Sequence, residues 1–248
     1  MLRACLIRLL AATCLILAAA VPAHAIPPIQ VNDGPGVVEP EGTAASCLLE
    51  PAPLSLIAYA WGAPTEYTRL AWRIPRSVCA SCPSPYVLSL NEILLRLRWF
   101  ATPCTVTVVV SIVGVKGSAD CPEPDTTVVL CGPEPYTLVR TLTDNYETYS
   151  TDFDEGCCIF QDAFVYLQFA GFNTCVGPNG LSTGISAATG VATPCQQYVT
   201  LSDYYPTFTD WSTVGTGLRP LWLQIQADCC AATPAHRKSW GGVKTIYR

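Results

Sequence analysis

Strict alternation of apolar and polar residues is the feature that most constrains how this chain can fold. In one stretch, Leu70, Trp72 and Ile74 alternate with the two basic residues Arg69 and Arg73. Successive side chains of a strand point to opposite faces, so this pattern predicts a half-buried β-strand with both arginines outward. No long stretch shows the helical period of about 3.6 residues, so helices contribute little.

The same pattern predicts further strands along the chain. In residues 86–99 the apolar set slips by one position near Asn91-Glu92, which predicts a β-bulge there. Residues 163–172 are apolar on both faces, which is typical of a central strand. The two Pro-Glu-Pro runs at 122–124 and 133–135 are predicted to be loops. The remaining predicted strands are residues 104–115, 126–131, 136–143, 195–201 and 220–228.

Many short strands separated by turn residues favour an all-β fold, either an antiparallel β-sandwich or a jelly roll. One long stretch rich in Gly, Ser and Thr, residues 173–194, is predicted to be a loop. Charged residues are 13% of the chain, about half the usual share of about 25%. We therefore expect one β domain over residues 47–230.

The first 25 residues resemble a secretory signal peptide. Arg3 and Arg8 precede an apolar run, and Ala23-His24-Ala25 matches a signal peptidase site, so cleavage is expected after Ala25. The run is shorter than the ~20 apolar residues that span a bilayer, although a retained anchor is the alternative. Residues 26–46 contain several Pro and Gly and are predicted to be an extended segment outside the core.

Cysteine content agrees with export. Cys5 and Cys14 lie in the signal, and an even number of cysteines in an exported chain predicts a disulfide framework whose pairing the sequence leaves open. We expect the adjacent pairs to find separate partners and the Cys-Ala-Ser-Cys run at 79–82 to be structural, with redox activity as its alternative. The cysteines of the mature chain are Cys47, Cys79, Cys82, Cys104, Cys121, Cys131, Cys157, Cys158, Cys175, Cys195, Cys229 and Cys230.

Charge and histidine content exclude several classes of function. Residues 26–230 carry 8 basic and 19 acidic residues, a net charge of −11, which argues against a nucleic-acid partner. After signal cleavage the only histidine is His236, which lies in the last 18 residues. A Ser-His-Asp or Cys-His catalytic site, or a histidine-ligated metal, is therefore excluded from residues 26–230.

Carboxylates are the remaining candidates for chemistry. Asp152, Asp154 and Glu155 belong to an acidic run that resembles a calcium-binding loop, and a solvated loop is the alternative reading. A glycoside hydrolase needs two facing carboxyls, for which that acidic run and the pair Asp203 and Asp210 are the candidates, with Asp154 and Asp210 as the residues to test. Calcium is the one cofactor that the sequence suggests.

Aromatic residues near the C-terminus suggest a ligand-binding surface. Tyr204, Tyr205 and Trp211 cluster in one predicted loop, and we expect Trp222 to stand on an exposed face. Sugars stack on such rings, and the neighbouring amides would bond their hydroxyl groups. The alternative is that another strand or the tail covers Trp222 and that the loop aromatics close the end of the sandwich. The amides beside Trp222 are Gln224 and Gln226.

The tail, residues 231–248, is basic, with four basic residues and no acidic residue. Its last ten residues resemble a Trp-Gly-x-(Val/Ile)-Lys-x-x-(Tyr/Phe)-Arg ending that recurs in secreted proteins of environmental bacteria. The resemblance implies an exported bacterial protein and carries no known activity. We expect the tail to serve localisation or docking through Trp240, Lys244, Tyr247 and Arg248.

Together these features predict a non-enzymatic structural or interaction module. It would lie at the cell surface, outside the cell or in the periplasm, without a membrane span after signal cleavage. Its partner would be a glycan or another surface protein. A carbohydrate-binding module, with calcium assistance, is the alternative, and a two-carboxylate glycoside hydrolase is the least favoured reading.

Overall fold

A computed structural model describes residues 29–32, 47–49, 53–60, 67–75, 88–100, 103–140, 146–171, 175–177, 180–181, 183–201 and 204–229. Within these ranges most residues lie in strands, which pair antiparallel, and one short helix follows the twelfth strand. The elements are β1 (Ile29–Asn32), β2 (Cys47–Leu49), β3 (Leu54–Ala60), β4 (Tyr67–Ile74), β5 (Leu88–Arg98), β6 (Cys104–Gly117), β7 (Pro122–Arg140), β8 (Tyr146–Ile159), β9 (Ala163–Ala170), β10 (Gly184–Ala188), β11 (Gln197–Leu201), β12 (Tyr205–Asp210), α1 (Trp211–Val214) and β13 (Leu223–Cys229).

The strands form two sheets. Sheet B has the order β12-β11-β4-β9-β6-β7. Sheet A is built around β5, which pairs with β8 along one edge and with β13 and β10 along the other. Strands β2, β3 and β1 extend it, because β2 pairs with β13 while β3 joins β10 to β1. The predicted antiparallel β-sandwich is confirmed.

The main core lies between the sheets. The inward residues of β4 (Leu70, Trp72 and Ile74) pack in it, and so do alternate residues of β5, β6, β9 and β13. Strand β9 is buried on both faces and lies between β4 and β6, as its apolar composition predicts. Smaller apolar clusters lie on the outer faces of both sheets.

The bulge in β5 lies where the sequence predicts it. Both neighbouring strands skip Asn91, since Leu90 and Glu92 pair with consecutive residues of β13 and mark a register shift against β8. The extra residue lets Leu90, Ile93 and Leu95 all reach the main core. Local register thus follows from the requirement to keep one apolar face inward.

Several predicted loops are strands. Both Pro-Glu-Pro runs lie inside the single long strand β7, which is the edge of sheet B. The predicted 173–194 loop contains the buried strand β10. The acidic run, for which a solvated loop was the alternative reading, lies in β8. These predictions were wrong because edge pairing, small buried residues and tertiary contacts override local composition.

Disulfides connect distant parts of the chain. Cys131–Cys157 joins edge strand β7 of sheet B to edge strand β8 of sheet A, while Cys104–Cys175 and Cys121–Cys195 close loops of 71 and 74 residues. Cys47, Cys158 and Cys229 are also disulfide-bonded. The neighbours at 157 and 158 therefore have separate partners, as predicted. The three remaining cysteines, at positions 79, 82 and 230, lie outside the described residues, and so do the signal and the tail.

Candidate functional site

The predicted exposed platform around Trp222 is buried. Trp222 is 2% exposed and packs with Leu94 and Ala188 on the outer face of sheet A. Gln224 and Gln226 are buried beside it. The prediction of an exposed ring next to two amides was therefore wrong. Trp222 lies directly before the inner strand β13, and Leu94 of β5 and Ala188 of β10 contribute its apolar contacts.

The aromatic residues after β11 close one end of the sandwich. Tyr204 and Tyr205 are partly buried against the main core. Trp211 is 1% exposed, its ring meets Tyr59 edge to face at 5.2 Å, and its Nε1 donates to the carbonyl of Arg219 at 2.7 Å. This is the alternative that the sequence left open. The six predicted ligand-binding residues do not share one exposed surface.

The acidic run takes up a strand conformation in β8. Asp152 pairs with Glu92 of β5, and Cys157 pairs with Leu90, so residues 153–156 of β8 lie opposite Asn91 alone. The side chains of Asp152, Asp154 and Glu155 lie outside the description. A calcium site formed by them stays a prediction.

One group of possible metal ligands serves the fold instead. Cys121, Cys195 and Asp210 have donor atoms within 4.8 Å of one another, but the two cysteines form a disulfide. Asp210 accepts hydrogen bonds from the backbone N–H of Cys195 at 2.6 Å and from that of Ser212 at 2.9 Å. The second bond caps helix α1. Both carboxylate oxygens of Asp210 are thus used structurally, and neither sulfur is a free thiolate.

The outer face of sheet B carries an aromatic cluster. Phe164 meets Tyr198 edge to face at 5.7 Å, and Tyr166 meets Phe208 in the same way at 6.1 Å. The small side chain of Ala71 lies in the same cluster. Tyr198 donates its hydroxyl to the carbonyl of Pro122 at 2.9 Å, which holds the start of β7 against this face. The cluster thereby gives sheet B a rigid, partly apolar outer surface.

Arg69 lies beside this cluster and faces outward, as the alternation in β4 predicts. It pairs across the ladder with Gln168 of β9, whose Oε1 accepts a hydrogen bond from the Tyr166 hydroxyl at 3.1 Å. Arg69, Gln168 and Phe208 are partly exposed, and Tyr166 is 9% exposed. We name these four residues, Arg69, Tyr166, Gln168 and Phe208, the Arg69 face.

Two arginines of β4 point outward, but they differ in their partners. Arg73 forms an ion pair with Asp162 at 3.0 Å. Within the described part of the chain, Arg69 has no ion-pair partner, and its buried Nε donates no hydrogen bond. Burial raises the pKa of Tyr166, and the positive charge of Arg69 opposes part of that rise. The Arg69 face thus combines an uncompensated cation with aromatic rings and an amide.

Sequence reasoning identified one of the four residues of this face by its outward position. It missed Tyr166 and Gln168 because only the pairing of β9 with β4 brings them near Arg69. Phe208 was among the loop aromatic residues read as a possible binding surface, and in the structure it lies on β12, where it contacts Tyr166. The sequence did carry one signal. The outward positions of β9 are mostly apolar, so the few polar side chains on that strand stand out as candidates. The predicted docking residues Trp240, Lys244, Tyr247 and Arg248 lie outside the described residues.

Comparisons with known proteins found no matching family model, no similar curated protein and no similar solved structure. Among the described residues, no helix has the length and apolar character needed to cross a membrane. The disulfides indicate an oxidising environment, because such bonds persist mainly outside the reducing cytosol.

Proposed function

We propose that this chain is an exported, non-enzymatic β-sandwich that binds a partner outside the cytoplasm. The disulfide framework is the observation that carries export. Cys131–Cys157 connects the edges of the two sheets, and two further bonds close loops of more than 70 residues. A fold cross-linked at so many points requires an oxidising compartment to form. The apolar run and the cleavage motif of residues 1–25 support the same proposal.

The Arg69 face supports the binding role. Arg69 has no ion-pair partner among the residues that the structure describes, although residues 26–230 carry a net charge of −11. Elsewhere in the described part of the chain, the groups most suited to chemistry have structural roles. The Asp210 carboxylate holds two backbone amides, and the sulfurs of Cys121 and Cys195 are bonded to each other. These contacts favour recognition over catalysis as the role of this domain.

Export is tested by expressing the full chain in a bacterial host and fractionating the cells. We expect residues 1–25 to be removed and thiol titration under denaturing conditions to find fewer than about one free thiol per mature chain, because the predicted twelve cysteines pair evenly. A variant that lacks residues 2–25 is the control and should show free thiols. An uncleaved cytoplasmic chain with most thiols free would contradict export.

The tail is tested in the same cells. We propose that residues 237–248 direct localisation or docking, because they are basic and follow an acidic domain. Deleting them should move the protein to another fraction or change its oligomeric state. If location and oligomeric state both stay as in the full chain, the tail has neither role.

A further inference from the structure

The chemistry of the Arg69 face specifies the ligand that it would accept, and this inference rests on the proposed binding function. Arg69 supplies a planar fork of N–H donors that suits the two oxygens of a carboxylate. Its neutralised counterpart Arg73 lies on the same strand and the same outer face, with Asp162 at 3.0 Å. Over the described ranges, one arginine of β4 therefore has an acidic partner and the other has none.

Gln168 adds a second donor next to Arg69. The two residues are direct partners in the β4–β9 ladder, so their side chains start on the same face and about 5 Å apart. The Tyr166 hydroxyl donates to Oε1 of Gln168. This bond orients the amide and leaves its NH₂ group to donate to a ligand. The polar atoms of the site are therefore donors, which selects an acceptor-rich ligand.

Aromatic surface borders these donors. Tyr166 and Phe208 contact each other edge to face, and Phe208 is partly exposed. Apolar C–H groups of a sugar ring pack well on such a surface, while its hydroxyl and carboxylate oxygens accept hydrogen bonds from Gln168 and Arg69. An acidic peptide is the competing anionic partner. Peptides usually bind along a sheet edge or in a groove, whereas β4 and β9 are inner strands of sheet B.

We propose that the Arg69 face binds the carboxylate of an acidic sugar residue in an extracellular polysaccharide. Arg69 holds the carboxylate by charge complementarity, Gln168 donates to a neighbouring sugar oxygen, and Phe208 packs against the ring. Contacts of an exposed cation weaken with salt. Affinity for the sugar chain therefore falls as ionic strength rises.

The test measures binding of the mature protein to polygalacturonate by calorimetry. The panel includes the methyl ester of that polymer and polyglutamate at matched chain length. We expect binding to polygalacturonate, weak or no binding to the ester, and a loss of about ten- to hundredfold in affinity for Arg69→Gln. The affinity of Arg69→Lys should lie between those of the unaltered protein and Arg69→Gln, because lysine keeps the charge but lacks the fork of N–H donors.

Arg73→Gln is the matched control, since it removes an arginine from the same strand and face. It should change affinity by less than about twofold, and thermal unfolding should show that each variant is folded. Equal binding of polyglutamate would assign the face to an acidic peptide and overturn the sugar proposal. Full affinity in Arg69→Gln would overturn the site, and so would absence of binding to every anionic polymer.

A crosslinking experiment distinguishes failure of the acidic-sugar proposal from failure of the binding function. A photo-crosslinker placed at Val109, which pairs with Gln168 across the ladder and is partly exposed, reports any partner on this face of the exported protein in its host. A crosslinked partner that Arg69→Gln abolishes, with no polygalacturonate binding, keeps the binding function and rejects the acidic sugar. If there is no crosslink and no binding to any polymer, both the binding function and the acidic-sugar proposal are rejected.

Discussion

At the scale of single residues, Asp210 shows how a candidate catalytic group turns out to be structural. The sequence offered its carboxylate as one partner of a hydrolase pair. In the structure the carboxylate bridges Cys195, two residues before β11, and the first turn of α1, through the backbone N–H groups of Cys195 and Ser212. Nothing in the spacing of acidic residues distinguishes these roles, because the bond to Cys195 spans 15 positions.

We expect Asp210→Ala to lower the free energy of unfolding by about 1–3 kcal/mol, the usual cost of losing a helix cap together with a charged hydrogen bond. Urea denaturation should show a lower midpoint with an unchanged slope. Asp120→Ala is the control, since Asp120 is exposed, and it should shift the stability by less than about 0.5 kcal/mol. Equal stabilities of the two variants would show that the carboxylate does not hold these amides.

The Arg69 face marks the limit of sequence reasoning at this scale. The alternation in β4 correctly placed Arg69 and Arg73 outward. Which of them meets an acid depends on the register of β9, which brings Asp162 to Arg73 and Gln168 to Arg69. A shift by two residues would keep every side chain on its face and change both partners, so a periodic pattern leaves this choice undetermined.

At the scale of elements, the predictions that held were those driven by burial. Strand β4 forms where the alternation around Leu70 predicts a strand, and the bulge at Asn91 follows from the slip in the apolar set. Strand β7 was predicted as two shorter strands, residues 126–131 and 136–143, because proline is excluded from inner strands. It is tolerated at a sheet edge, where an N–H is not required on the open side. A sequence does not state which strand will lie at an edge.

The bulge in β5 requires one extra residue between Leu90 and Glu92. Deleting Asn91 removes the extra residue of the bulge. Leu90 before the deletion and the apolar residues of 93–97 after it could then no longer point into the core together. Exposing Leu90, which is buried in the main core, should cost about 1.5–3 kcal/mol. Urea unfolding and the yield of exported protein should both fall.

Asn91→Ala is the control for that deletion, because it keeps the residue count and changes the side chain alone. We expect it to stay within about 1 kcal/mol of the unaltered protein. A deletion variant as stable as the control would mean that the bulge does not set the register of β5 against β8 and β13.

At the scale of the whole molecule, the sequence predicted the class of fold but not the order of the strands or the pairing of the cysteines. Alternation and turn residues specify a two-sheet β protein, since each apolar face must pack on another. The order of strands, with β8 on β5 and β7 at the opposite sheet's edge, arises from long-range pairing that local patterns do not encode. The disulfide pairing shares this limit, because Cys131–Cys157 depends on two edges meeting.

That disulfide should hold one side of the sandwich closed. Replacing both Cys131 and Cys157 by alanine leaves no lone thiol, and should lower the free energy of unfolding by about 3–4 kcal/mol for a separation of 26 residues. Hydrogen exchange should rise in β7 and β8 before other strands, since the bond joins these edges directly. Circular dichroism of the variant should still show a β protein.

The double alanine variant at Cys104 and Cys175 is the matched comparison. Its loop is longer, with a separation of 71 residues, so loop entropy alone predicts a cost about 1 kcal/mol larger. It should leave the exchange of β8 unchanged, because neither cysteine lies in that strand. If both double variants raised hydrogen exchange at the same backbone amides, a local role for Cys131–Cys157 would be contradicted. The bond would then act only by restricting the unfolded chain, and the edges of the sandwich would be held by packing alone.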